Sequence, residues 1–129
     1  MTTKSPILPE RLRKVPKQFS WLDHRLVRDR HIEACSHPAA ALYLFLVTVG
    51  DGMGLSYYGD ESIMKRLSMD QSTLESARCN LIRIGLIAWK RPLYQVLSLD
   101  VHHPDVPRQA TAQPLSLAEI LKKVAGGAA

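Results

Sequence analysis

Between Asp60 and Val96 the apolar pattern changes period at a single glycine. Before Gly85, in "DESIMKRLSMDQSTLESARCNLIRI", apolar residues recur at spacings of three and four, as on helices. After it, "LIAWKRPLYQVLSL" runs or alternates as paired strands do. Two helices, a tight turn, a glycine stop and a hairpin in so short a span leave few ways to bury both apolar surfaces. A small α+β domain, mainly helical, is the expected class.

Each part has its own signal. Asp60 is placed to cap the first helix, in which Ile63, Met64 and Leu67 form the stripe to be buried and Lys65 and Arg66 point elsewhere. "SMD" reads as a turn, and Asp70 as the cap of a second helix over Gln71 to Ile84. At about 100° per residue, Leu74, Ala77, Leu81 and Ile84 share one side of that helix. Ala77 is small where the two helices would cross. The opposite side carries Ser72, Glu75, Ser76, Cys79 and Arg83. Gly85 stands where a left-handed C-cap residue is needed. The strands join across Arg91-Pro92, a short turn that Pro92 stiffens.

Upstream, Ser36 and Pro38 open a helix, "PAAALYLFLVTV", that is apolar on nearly every side. Such a helix is either central to a small fold or shared with a second subunit. "GDGMG" is turn chemistry, and "LSYY" a short strand ended by Gly59. Ser20, with Asp23 three residues on, forms a capping-box pattern. It predicts a short helix whose Trp21, Leu22, Leu26 and Val27 dock on the core. Trp21 and Trp89 are expected as core or half-buried anchors.

Residues 1–18 hold three prolines and no periodic apolar face, so they read as an extended arm ahead of a domain over 19–100. Residues 101–114 are polar and proline-bearing, as in a linker. Ser116 and Glu119 then open a short helix within 115–129, with Leu117, Ile120, Leu121 and Val124 on one face and a disordered glycine-rich end. A helix this short needs a surface to dock on.

Charge is distributed unevenly. The net charge is +5, yet residues 1–19 carry five basic groups against one acidic. The remainder is close to neutral. A basic arm on a near-neutral body suits phosphate contact, and Arg11, Arg13, Lys14 and Lys17 are the arm residues placed for it.

Several classes are excluded. No apolar run is long enough to span a membrane, and the N-terminus lacks a signal-peptide stretch, so a cytoplasmic location is expected. Two well-separated cysteines imply reduced thiols. "HIEACSH" brings His31, Cys35 and His37 close, but one thiol with scattered histidines makes a poor zinc set. No nucleophile–histidine pair, catalytic carboxylate pair or phosphate-binding loop stands out, so neither an enzyme nor a cofactor is expected.

The stretch "ESIMKRLSMDQSTLESARCNLIRIGLI", preceded by "HPAAALYLFLVTVGDGMGLSYYGDESI", resembles the winged helix-turn-helix modules of bacterial transcription regulators and of plasmid or phage replication initiators. The turn, Thr73-Leu74, Ala77, Leu81 and Gly85-Leu86-Ile87 fall at family spacing, and the likeness covers about residues 19–99. It implies a winged helix with a short β-hairpin wing that binds double-stranded DNA. The second helix would lie in the major groove with its N-terminal half deepest. On that implication Gln71, Ser72, Glu75 and Ser76 meet base edges. Thr73, Lys65, Arg66, Arg83, Lys90 and Arg91 hold the DNA backbone, together with the arm.

The resemblance further implies a regulator, or an accessory factor in DNA replication or on a mobile element, acting as a homodimer. One departure is plain: family members often carry basic or amide residues after the turn, where this chain has Asp70, Gln71, Ser72, Thr73 and Glu75. That departure keeps open a second reading, a winged helix that docks on another protein of a replication or transposition complex.

Overall fold

The structure, a computed structural model, describes residues 4–100. The chain divides into two units, 1–97 and 98–129. The linker and helix expected over 101–129 lie outside the described residues. The first unit is α+β. Its helices are α1 (Arg25–Arg28), α2 (His37–Val49), α3 (Asp60–Leu67) and α4 (Gln71–Arg83). Its strands are β1 (Leu55–Tyr57), β2 (Ile87–Lys90) and β3 (Leu93–Val96), forming one antiparallel sheet in the order β1-β3-β2.

The local signals act as the chemistry requires. Ser36 caps α2 by accepting from the Ala39 N–H at 3.2 Å, with Pro38 in the first turn. Asp70 caps α4 through the Thr73 N–H at 2.8 Å. Ser68 closes α3 in the left-handed region (φ 55°), which turns the chain into α4 within three residues. Gly85 follows α4 at φ +80°, a conformation that side chains other than glycine adopt only with strain. Asp51 takes the N–H groups of Met53 and Leu55 and so shapes the turn into β1.

α4 is the element on which the others meet. α2 and α3 pack on it, and β2 covers its end, while β3 rests on α2. The core is Ala39, Leu42 and Leu46 of α2, Ile63 of α3, Leu74, Ala77 and Leu81 of α4, with Leu86, Ile87 and Tyr94. α2 is therefore central, although Leu44 on its far side stays 55% exposed. Strand alternation puts Ile87, Trp89, Tyr94 and Val96 on the inner sheet face, paired Ile87 with Val96 and Trp89 with Tyr94. Ala88, Lys90 and Gln95 take the outer face.

Two polar side chains are buried beside this apolar core on α4. Asn80 accepts the Ser36 N–H at 2.7 Å and donates to the Ala34 carbonyl at 3.0 Å, so it ties α4 to the start of α2. Arg78 pairs with Asp60 and donates to the Tyr94 hydroxyl.

Three expectations are corrected. Ser20 does not cap a helix; its hydroxyl donates to the Thr48 carbonyl at 3.4 Å. α1 begins at Arg25, where the Asp23 carboxylate accepts both the Arg25 N–H and its guanidinium, a charge-assisted pairing that a serine cannot make. Trp21 is consequently 74% exposed and no core anchor, and Leu22 and Val27 are exposed beside it, because a helix starting at 25 buries Leu26 alone. Asp60 is the first residue of α3 and makes no cap; Gly59 holds that position, and the Asp60 carboxylate is paired with Arg78 instead.

Replacing Asn80 by Ala leaves a buried N–H and a buried carbonyl without their partner. Urea unfolding should show a loss of about 2 kcal/mol, against under about 0.5 kcal/mol for Ser62→Ala on the exposed side of α3.

Candidate functional site

The outward side of α4 is a polar surface whose N-terminal end is hydrogen-bonded internally. Gln71, Ser72, Glu75, Ser76, Cys79 and Arg83 are all exposed there, and Thr73 is half-buried at its margin. Cys79 lies mid-face. Its sequence neighbours Arg78 and Asn80 fall about 100° to either side of it, and both are buried. The two anchors therefore grip the helix along opposite edges of its open face and fix its roll.

At the N-terminal end of this face the side chains bond to one another. The Gln71 amide nitrogen donates to Glu75 at 2.8 Å and to Asp60 at 3.3 Å. Asp60 is in turn bound by Arg78, 2.9 Å away. The hydrogen bond from Arg78 holds the Asp60 carboxyl below the usual carboxylate range, against the opposing pull of partial burial. Arg78 reaches the Tyr94 hydroxyl at 2.8 Å and lies 3.8 Å over the Trp89 ring. Burial pushes the Tyr94 phenol up, so it stays protonated. A continuous chain of contacts thus runs from the core at Tyr94 to the surface at Glu75. The Thr73 hydroxyl and N–H likewise hold the Asp70 carboxyl low.

The cations expected to hold the DNA backbone are placed unequally. Arg91, in the hairpin turn, lies 5.3 Å over the inward-facing Trp89 ring, and its charge adds to the lowering of the Asp60 carboxyl that Arg78 dominates. Lys90 occupies the outer face of the sheet by alternation and is not brought to α4. Lys65 and Arg66 are exposed at the last turn of α3, and Arg83 at the last turn of α4. No ion pair among the described residues engages Lys65, Arg66, Arg83, Lys90 or Arg91. Arg11, Arg13, Lys14 and Lys17 are exposed on an arm whose one regular feature is a turn at Pro9–Arg11.

Arg78 and Asn80 are the residues that sequence reasoning passed over. An arginine three residues after Glu75 reads as one more surface charge. The signal was present in the helical phase: Arg78 adjoins Leu74 and Leu81 on the wheel, and the inward Trp89 and Tyr94 supply a ring and a hydroxyl for it. No group of three or more His, Cys, Asp or Glu side chains gathers as a metal site among the described residues, and Cys35 and Cys79 are free thiols. No described helix is long and apolar enough to cross a membrane. No family model matches the chain, and no curated protein or solved structure matches it either.

Because Asp60 ionises more readily folded than unfolded, its contribution to stability is present above the unfolded value near 4. It is lost as the pH falls from there through the lower native value. Asp60→Asn should lower stability at pH 7 and flatten the acid limb of a stability–pH curve measured by denaturant melts. Asp23, held down at about 2 by Arg25, leaves a residual slope.

Proposed function

We propose that this chain is a winged-helix protein that binds double-stranded DNA through the open face of α4, as a regulator or as an accessory to replication or a mobile element. The element order α2-β1-α3-α4-β2-β3, with a three-residue turn between α3 and α4 and a short hairpin after it, supports the winged-helix assignment. The observation that carries the function is the fixed polar face of α4: exposed hydroxyl, amide and carboxylate groups on a helix whose roll is set by two buried anchors. Side chains that read base edges need that rigidity.

On this reading the N-terminal half of α4 supplies selectivity, and its last turn together with other elements supplies attraction. Arg91, Lys65, Arg66 and Arg83, with the arm residues Arg11, Arg13, Lys14 and Lys17, neutralise phosphates, and Lys90 does so from the outer face of the hairpin. Binding six to ten phosphates would reduce affinity by about 10³–10⁵ between 50 and 200 mM salt. Arg91→Ala should weaken binding to all duplexes alike and reduce the slope of log affinity against log salt by about 0.9. Fluorescence anisotropy with labelled duplexes across a salt series measures both; affinity that ignores salt would exclude this function.

A second reading, a protein-docking module, is favoured by the arm. Ile7 and Val15 within the arm, and Phe19 and Trp21 just past its end, are 93%, 76%, 62% and 74% exposed. Phosphates do not satisfy such side chains. A partner protein, or a second copy in a homodimer, would. Light scattering of the full chain distinguishes a self-associating arm from a monomeric one.

A further inference from the structure

We infer that the α4 face selects a cytosine, through the hydrogen bond that Gln71 makes to Glu75. This rests on the duplex-binding reading above and says which base that face admits.

A glutamine on a groove-reading helix ordinarily pairs with adenine in bidentate fashion, its amide nitrogen donating to N7 and its oxygen accepting from the N6 amino group. In this structure that donor is already engaged. The Gln71 nitrogen is directed at two carboxylates, Glu75 at 2.8 Å and Asp60 at 3.3 Å. An amide NH2 has two protons, and two acceptors take them. The opposite orientation would set the amide oxygen against two carboxylates, so the chemistry itself fixes which atom is which. Asp60 cannot swing aside to release the amide. It is locked by Arg78, whose side chain is 5% exposed and is itself held by Tyr94 and Trp89.

Gln71, Ser72 and Glu75 are therefore left with acceptors to offer. Gln71 keeps its Oε1, and Glu75 keeps the lone pairs not engaged by the amide. The Ser72 hydroxyl is turned to Asp70, 3.5 Å away, which leaves its oxygen as an acceptor. Ser76, one turn after Ser72, is exposed and its hydroxyl can donate, so the acceptor cluster is Gln71, Ser72 and Glu75.

A cluster of acceptors selects for donors. In the major groove the donors are the N4 amino group of cytosine and the N6 amino group of adenine, whereas guanine and thymine present O6, N7 and O4. Adenine sets its N7 lone pair directly beside N6, where it would face a carboxylate with no donor between them. Cytosine presents its amino group with no acceptor on the same base edge, and is the base that glutamate accepts from. Gln71 and Glu75 are four residues apart, a rise of about 6 Å, and are bonded to each other, so both oxygens serve the same short stretch of the groove.

The experiment is a selection of duplexes from a randomised pool at low salt, read by sequencing, for the full-length chain and for Glu75→Ala. Glu75 is exposed and contributes nothing to the core, so the thermal midpoint of the variant should match the parent. The parent should enrich one cytosine position, with discrimination on the order of tenfold to a hundredfold against the other bases. Glu75→Ala frees one N–H of Gln71, so the variant should enrich adenine at that position in place of cytosine. A substitution with a merely structural effect would lower affinity without changing the preferred base. Selected duplexes without a cytosine position, or a base preference unchanged in Glu75→Ala, would overturn the inference and leave duplex binding standing. A pool that yields no bound duplex at low salt would overturn both.

Discussion

The guanidinium of Arg78 is the contact on which the arrangement of this protein depends. It lies almost wholly out of water, yet it satisfies three separate elements at once: Asp60 at the start of α3, Tyr94 in the middle strand and Trp89 in the hairpin. Removing a cation from water is costly. It is tolerated where a carboxylate and further hydrogen-bonding groups surround the charge. Once buried, the group penalises any arrangement that leaves it alone, by about 3–5 kcal/mol for a broken pair. The pair and its hydrogen bonds are complete in the observed arrangement of α3, α4 and the hairpin.

Asn80 does the corresponding work on the other edge. Its amide replaces a missing backbone partner on each side of the α2 N-terminus, taking the Ser36 N–H and giving to the Ala34 carbonyl. Between the two anchors, Leu74, Ala77 and Leu81 fill the core side of the helix with no exposed surface. Apolar contact supplies most of the free energy but little direction, since dispersion contacts shift by fractions of an ångström at small cost. Hydrogen bonds to fixed partners on opposite edges supply the direction. Side chains on the open face therefore inherit positions set by the core.

Much of this was legible in the sequence, for reasons that differ by element. Ser36, Asp70 and Gly85 are read correctly because caps are local: each involves residues within a few positions of itself. The stripe of Leu74, Ala77 and Leu81 is legible because helical period survives packing. The failures are non-local. Ser20 and Asp23 match a capping box, but a matching spacing does not say that Asp23 has an arginine two residues on that competes for it. Asp60 matches a cap too, and Arg78, eighteen residues away, takes its carboxylate. Trp21 looks like an anchor on any hydrophobicity scale, and it stands exposed because the helix that would have turned it inward begins four residues later. The amide of Gln71 is the same kind of case: its residue type permits a donor and an acceptor, and only its neighbours decide which remains.

The same network gives the N-terminal end of the α4 face its carboxylate character. A face that presents carboxylates beside Arg78 repels phosphate, so it would be a poor source of affinity for a duplex. The cations lie away from those carboxylates, on the α3 end, the last turn of α4, the hairpin turn and the arm, and no described ion pair occupies them. Arg91 is instructive because it belongs to both parts: it lies over Trp89, on the ring that Arg78 also covers, yet it is exposed at the turn. A phosphate approaching Arg91 would meet a side chain whose direction is already set by that ring. On the duplex-binding proposal, affinity from peripheral cations and choice from an acceptor-rich face held by the core would be separable quantities. A substitution in the arm would change the first without touching the second, whereas a substitution in the Asp60–Arg78 pair would move the second through a residue that touches no base at all.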